Sequence, residues 1–147
     1  MTTISSVSRL SLEEQVQVIY QILSDVYETS PWTLDQVRAD LALETSEYFY
    51  SYNQGRPVGF LALQHLVGEC EVTNLAVLKA FQGQGHAKKL MQELADYQEP
   101  IFLEVRASNQ AAQGLYQASG FQAIGLRKNY YHAPQEDAVI MRREGNE

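Results

Sequence analysis

The sequence holds a single cysteine, Cys70, in 147 residues, so no internal disulfide can form, and its three histidines, His65, His86 and His132, share no ligand spacing. A reducing cytoplasm is the compartment this implies, and no metal is expected. No apolar run approaches the ~20 residues that a bilayer span demands. The opening "MTTISSVSRL" has no basic flank leading into an apolar stretch, so neither membrane association nor a secretory signal is expected. Basic residues are few: 11 Lys and Arg against 18 Asp and Glu give a net charge of -7. That balance argues against a nucleic-acid partner and permits a basic protein or peptide. Internal repeats and low-complexity tracts are also missing.

What remains is the composition of an ordinary globular protein, 45% hydrophobic and 20% charged. A chain of this size buries about two thirds of its unfolded surface, enough for one sizeable core, so residues 1–147 are expected to form one domain. Ser11 and Glu14 make a capping-box pattern ahead of Leu12, Val16, Ile19, Leu23 and Val26 at helical spacing. Thr33 and Gln36 repeat the pattern for a second helix, after the tight link "SPW". From Glu47 the period changes. "EYFYSY", the turn "NQGR" and "PVGFLALQH" read as a hairpin, and "CEVTNLAV" as a third strand.

Ala87, Leu90, Met91, Leu94 and Tyr97 then form one apolar stripe, a helix expected to run to about Gln98 before Pro100 stops it. "IFLEVR" reads as a buried strand. Ser108 or Asn109 caps the helix "QAAQGLYQAS", which Gly120 ends. "FQAIGLRKNYY" and "DAVIMRR" are two further strands. The order is α-α-β-β-β-α-β-α-β-β, and the strand–helix–strand unit at its centre implies a parallel pair with a right-handed crossover inside a mixed α/β sheet.

The loop "FQGQGHAKKL" joins the third strand to its helix and places free backbone N–H groups at a helix start, where an anion binds. A nucleotide P-loop needs Gly-Lys-Ser/Thr, but His86 and Ala87 follow Gly85. A dinucleotide fingerprint needs a third glycine where Lys88 stands, and Glu104, at about its acidic spacing, lies inside an apolar strand. Gln82, Gly85 and Ala87 do match the Q-x-x-G-x-G/A loop that binds the pyrophosphate of coenzyme A. From Lys79 to Gln92 the chain carries Lys79, His86, Lys88 and Lys89 and no acidic residue. Each charge-assisted contact to phosphate contributes roughly 1.5–3 kcal/mol. The competing account is a glycine-rich helix entry with a solvated basic face.

Period 2 puts Phe102, Glu104 and Arg106 on one face of their strand and Ile101, Leu103 and Val105 on the other. A carboxylate in so apolar a strand is costly unless paired, with Arg106 or another cation, or used. Tyr116 has a packing role open to it beside Leu115 and Phe121. Cys70 invites a covalent scheme, but no histidine is near it in sequence, and a lone strand cysteine is usually buried and inert.

The segment "LEVRASNQAAQGLYQASGF" resembles the most diagnostic stretch of the bacterial ribosomal-protein-alanine N-acetyltransferases of the GNAT superfamily. The likeness extends to "NLAVLKAFQGQGHAKKLM", "RKNYY", "EDAVIM" and "SPW", in the family's order and over nearly the whole chain. It implies the GNAT fold, a mixed and mostly antiparallel sheet with a central parallel pair flanked by helices. It further implies transfer of acetyl from acetyl-CoA to the N-terminal α-amine of a protein, foremost an alanine of a small-subunit ribosomal protein. The rivals are a GNAT enzyme acting on other peptides or small amines, and a non-catalytic acyl-CoA-binding module.

By the same resemblance Leu75, Ala76 and Val77 offer backbone groups to the pantetheine arm and the acetyl carbonyl. Gly83, Gln84, Gly85, His86, Ala87 and Lys88 cradle the pyrophosphate, and Asn109 holds the cofactor from the next helix. Glu104 falls on the proton acceptor and Tyr116 on the proton donor. Trp32, Tyr130 and Tyr131 become walls of the acceptor site, with Glu69 and Asp137 as anchors for a cationic N-terminus or basic side chains. Such a base is needed because an α-ammonium with a pKa near ~8 is mostly non-nucleophilic at neutral pH. Departures from the family pattern are Ala87 for the commoner glycine, a short helix before Pro100, and Gly114 inside the helix that carries Tyr116.

Overall fold

A computed structural model describes residues 2–5 and 10–145. Both capping boxes form. Ser11 accepts the N–H of Glu14 and Glu14 accepts that of Ser11, opening α1 (Leu12–Val26); Thr33 and Gln36 do the same for α2 (Leu34–Leu41). The described residues add two further α-helices, α3 (His86–Gln92) and α4 (Gln110–Ala118), and seven strands. These are β1 (Thr2–Ser5), β2 (Ser46–Asn53), β3 (Arg56–Leu66), β4 (Glu69–Val77), β5 (Ile101–Arg106), β6 (Gln122–Tyr131) and β7 (Glu136–Arg143).

The strands make one sheet in the order β1-β2-β3-β4-β5-β7-β6, antiparallel throughout except between β4 and β5. Each face buries its own cluster. Val16, Ile19, Ile22 and Leu23 of α1 and Val37 of α2 close over Tyr48, Tyr50, Phe60, Ala62 and Ala76. Leu90 and Met91 of α3 and Tyr116 of α4 close over Phe49, Leu61, Cys70, Ile101, Leu103, Val105 and Met141. The polar ends of the buried tyrosines are satisfied from the helices: Tyr48 donates to Asp40, and Tyr50 donates to Gln15 at 2.7 Å.

Two expectations need correction. The sheet gains β1, four residues paired with β2 in register from Thr2↔Asn53 to Ser5↔Tyr50; so short a strand carries no periodic signal. The third helix stops at Gln92, well before Gln98. From there the chain tightens into i→i−3 bonds, Glu93 to Leu90, Leu94 to Met91 and Ala95 to Gln92. The buried guanidinium of Arg143 donates to the carbonyl of Leu94, which also accepts the N–H of Tyr97, and to the carbonyl of Tyr97 itself. A long-range cation thus replaces the next helical turn.

The parallel pair is short. β4 and β5 are in register only at Cys70↔Ile101 and Glu71↔Phe102. Beyond Glu71, β4 pairs with β3 alone, and beyond Phe102, β5 pairs with β7 alone. A bulge lies where they part: Ala62 faces Asn74 and Leu63 faces Val72, leaving Thr73 outside the ladder. A bulge bends and over-twists its strand, so β4 turns away from β5. The wedge opens toward the ends of the strands that lead into α3 and α4.

Candidate active site

The glycine loop stands at one side of this wedge. After a single 3₁₀ turn, Lys79–Phe81, the chain passes Gly83 at φ 78° and Gly85 at φ 88°, backbone that side chains rarely adopt. Nothing lies within 4 Å of where a Cβ on either would stand, so the backbone is open to a close-approaching group. The first bond of α3 runs from Lys89 N–H to Gly85 O, so the amides just before Lys89 have no partner within the helix. Gln82 folds back to donate to Val77 O at 3.0 Å, tying the loop to the end of β4. A cavity of about 120 Å³ lies between Val77, Phe81, Gln82, Gly85, His86 and Lys88. Glycine backbone, amides without helical partners and exposed Lys88 and Lys89 suit a diphosphate.

The basic zone differs from expectation at two points. The His86 side chain is buried and hydrogen-bonded through Nδ1 to Ser51 Oγ, and burial, then Lys89, lowers its pKa. Only its backbone N–H is available to the loop. Asp25, from α1, accepts the N–H of Lys79 at 2.7 Å and brings an acidic group to the start of the zone.

On the face of the sheet away from α3 and α4, a cavity of about 270 Å³ is lined by Leu66, Glu69, Glu71, Phe102, Glu104 and Arg127, among others. Glu104 pairs with Arg127, Nε to Oε1 at 3.2 Å, rather than with Arg106. Arg106 is held elsewhere. It reaches Glu136 at 3.3 Å and Pro134 O at 3.0 Å and lies over the Tyr131 ring at 4.4 Å. Glu71 was missed by sequence reasoning, although it alternates with Glu69 at period 2 as Glu104 does with Phe102. Burial, then the Glu104 and Glu69 charges against the pull of Arg127, raise its pKa.

Tyr116 approaches from the opposite face. Its ring is 9% exposed, inside the α3–α4 core and tilted against Phe121 at 6.1 Å. Burial, with Tyr27 and Tyr131 adding, pushes its hydroxyl to about 12. Tyr131 is within electrostatic reach of both Glu104 and Tyr116; burial first, then Glu104, raise it to about 12. Its neighbour Tyr130 meets it edge-on at 5.1 Å, and the Glu104 carboxylate, as hydrogen-bond acceptor, raises the Tyr130 hydroxyl. Tyr27, the residue that caps α1, is close enough to act on Tyr116 and Tyr131 and escaped the sequence reading.

The remaining expected residues are placed as follows. Leu75, Ala76 and Val77 line the wedge from β4, past the point where β5 parts from it. Asn109 caps α4 by accepting from Ala112 N at 3.1 Å. Asp137 accepts from Asn129 N at 2.9 Å and shapes the irregular end of β6. Trp32 is half-buried against the α1–α2 core. Cys70 is fully buried and its thiol is raised to about 11, by burial first and then the Glu47 and Glu99 charges, so thiolate is scarce at neutral pH.

Comparison with known proteins fits this geometry. The profile of the Acetyltransferase (GNAT) family matches residues 16–121. The N-alpha-acetyltransferase RimI of Mycobacterium tuberculosis is 35% identical over 123 residues, 80% of this chain and 78% of that protein. The putative [ribosomal protein bS18]-alanine N-acetyltransferase of Bacillus subtilis is 34% identical over 148 residues, 96% of each. The crystal structure of the ribosomal-protein-S18-alanine N-acetyltransferase from Escherichia coli superposes with a TM-score of 0.87 at 30% identity, covering 100% of this chain and 96% of that one.

Proposed function

The chain belongs to the GNAT acetyltransferase family, and from that membership we propose that it acetylates the N-terminal α-amine of a protein with acetyl-CoA as donor, foremost the N-terminal alanine of ribosomal protein bS18. The acceptor is the one for which the Bacillus subtilis and Escherichia coli relatives are named. Such an acceptor puts the reaction in the cytoplasm. One observation supports the reading: β4 and β5 part beyond Glu71 and Phe102 beside the open glycine loop, with Glu104 lining a cavity on one face of the sheet and Tyr116 packed on the other.

In this scheme the loop amides from Gly83 to Lys88 hold the diphosphate, and the unpaired edge of Leu75–Val77 orients the acyl arm. Acetyl-CoA supplies an activated carbonyl carbon bonded to a thiol leaving group. The acceptor ammonium enters the acidic cavity and displaces Arg127 from Glu104. Glu104 takes one proton, directly or through water, and frees the nitrogen lone pair for attack on the carbonyl carbon. After attack the nitrogen would give up its second proton to water, and as the carbon–sulfur bond breaks the sulfur would keep its electron pair, accept a hydrogen bond from Tyr116 and take from water the proton that completes the thiol. Glu69 and Glu71 extend the negative surface away from the reacting nitrogen, and Tyr130 and Tyr131 wall it.

The test presents purified protein and acetyl-CoA with peptides that differ in their first residue. Alanine-first peptides should turn over with release of one thiol per acetyl group. Glu104→Gln should slow that turnover by roughly 10²–10⁴ with little change in cofactor affinity. Cofactor binding without turnover of any peptide would refute the reading in favour of an acyl-CoA-binding module, and turnover of small amines alone would replace the acceptor.

A further inference from the structure

Among the described residues the buried polar or charged side chains are Ser51, His86 and Arg143. Arg143 is engaged by the carbonyls after α3, and the scheme above uses neither of the other two side chains. They meet. Ser51, 0% exposed, lies on the α3 face of β2, and His86, 2% exposed, is the first residue of α3; Ser51 Oγ and His86 Nδ1 are hydrogen-bonded. The Phe81 ring packs edge-on to the imidazole at 6.3 Å.

An apolar pair of the same shape would fill this space without taking two polar groups out of water. What a hydroxyl–imidazole bond adds is direction. It fixes the angle at which the first turn of α3 meets the sheet, and that turn carries the free amides of the loop. The surroundings make room for it. The β2–β3 ladder slips by one residue next to Ser51, whose partner is Gly59. A Cβ on Gly59 would stand 3.0 Å from Val77 Cγ2 and 3.2 Å from Ala76 O. Slip, glycine and buried bond all bear on the junction where β4 hands over to the loop.

We infer that Ser51, through its bond to His86, is a positioning residue for coenzyme A: it holds the Gly83–Lys88 amides in the arrangement that receives the diphosphate, without itself touching the ligand. The inference rests on the function proposed above. Burial and the nearby Lys89 keep the ring neutral, so the bond joins two neutral partners.

Ser51→Ala should raise the Kd for coenzyme A and the KM for acetyl-CoA about threefold to tenfold, the net worth of one such bond in an equilibrium constant. Its kcat and its KM for an alanine-first peptide should stay at the wild-type values, a split that general loosening of the fold does not produce. Adding Ser51→Ala to His86→Leu should cost nothing further in coenzyme A affinity. Equal coenzyme A affinity in Ser51→Ala and wild type, or additive losses in the double variant, overturns the inference. Should Ser51→Ala fail to fold, imidazole nitrogen resonances of the wild type decide. A single neutral His86 tautomer that responds to added coenzyme A supports the pair, and an exchanging mixture overturns it. A wild type that binds no coenzyme A sinks the functional reading first, and this one with it.

Discussion

Changing Tyr116 to Phe removes one oxygen from a ring that otherwise stays packed against Phe121, so the fold should tolerate it. The same burial sets the size of the catalytic effect. With its hydroxyl at about 12, Tyr116 is a far weaker acid than an alkyl thiol, which titrates near ~8.5. Complete proton transfer to a finished thiolate would run roughly 5 kcal/mol uphill at about 1.36 kcal/mol per pKa unit. In the proposed reaction Tyr116 would therefore act while the carbon–sulfur bond is breaking, by a hydrogen bond that strengthens as charge gathers on sulfur. A bond of that charge-assisted kind contributes about 1.5–3 kcal/mol, so Tyr116→Phe should lower kcat by about 10- to 150-fold and leave the affinity for coenzyme A in place. Because the pKa is raised, the hydroxyl stays protonated throughout the assayable alkaline range, and Tyr116 should contribute no alkaline limb to the rate profile. The assay follows thiol release from acetyl-CoA with an alanine-first peptide between about pH 6 and 10. A variant within twofold of wild type refutes the role. So does a wild-type alkaline limb near pH ~9 that the variant lacks.

Three stability predictions follow from the packing. Gly114→Ala should stabilise the protein by up to about 1 kcal/mol, about 2–4 °C in Tm, since a Cβ there meets nothing within 4 Å and the site is helical; a lower Tm would count against it. Gly59→Ala should destabilise by about 1–3 kcal/mol in urea titration, because its Cβ would press on Val77 and the Ala76 carbonyl. Arg143→Met should cost roughly 2–4 kcal/mol by removing the guanidinium from the carbonyls of Tyr97 and Glu144 and leaving Leu94 O only the N–H of Tyr97. An unchanged unfolding midpoint would show that water replaces the guanidinium.

Features fixed by neighbours along the chain were readable, and those fixed across the sheet were not. Ser11 with Glu14, Thr33 with Gln36, Asn109 and Gly120 all cap the helices they announce, because a cap is decided within four residues. Period 2 placed Glu104 on the face opposite Leu103 and Val105, yet its partner is Arg127 on β6 and not Arg106 two positions away. That outcome depends on the β6–β7 hairpin, whose Glu136 and backbone carbonyls capture Arg106 first. His86 looked like one more positive group in a basic loop; its burial follows from Ser51 in a strand 35 residues earlier. The wedge itself had a faint trace. Val72 and Leu75 lie three apart in a run that otherwise alternates, and both pack on one face only because Thr73 bulges out of the ladder. That extra residue bends β4 where it parts from β5 and leaves Leu75–Val77 paired with β3 alone. Deleting Thr73 should restore strict alternation and extend the parallel pairing, closing the gap between β4 and β5 in which the proposed acyl arm lies, so the affinity for coenzyme A in a binding titration should fall.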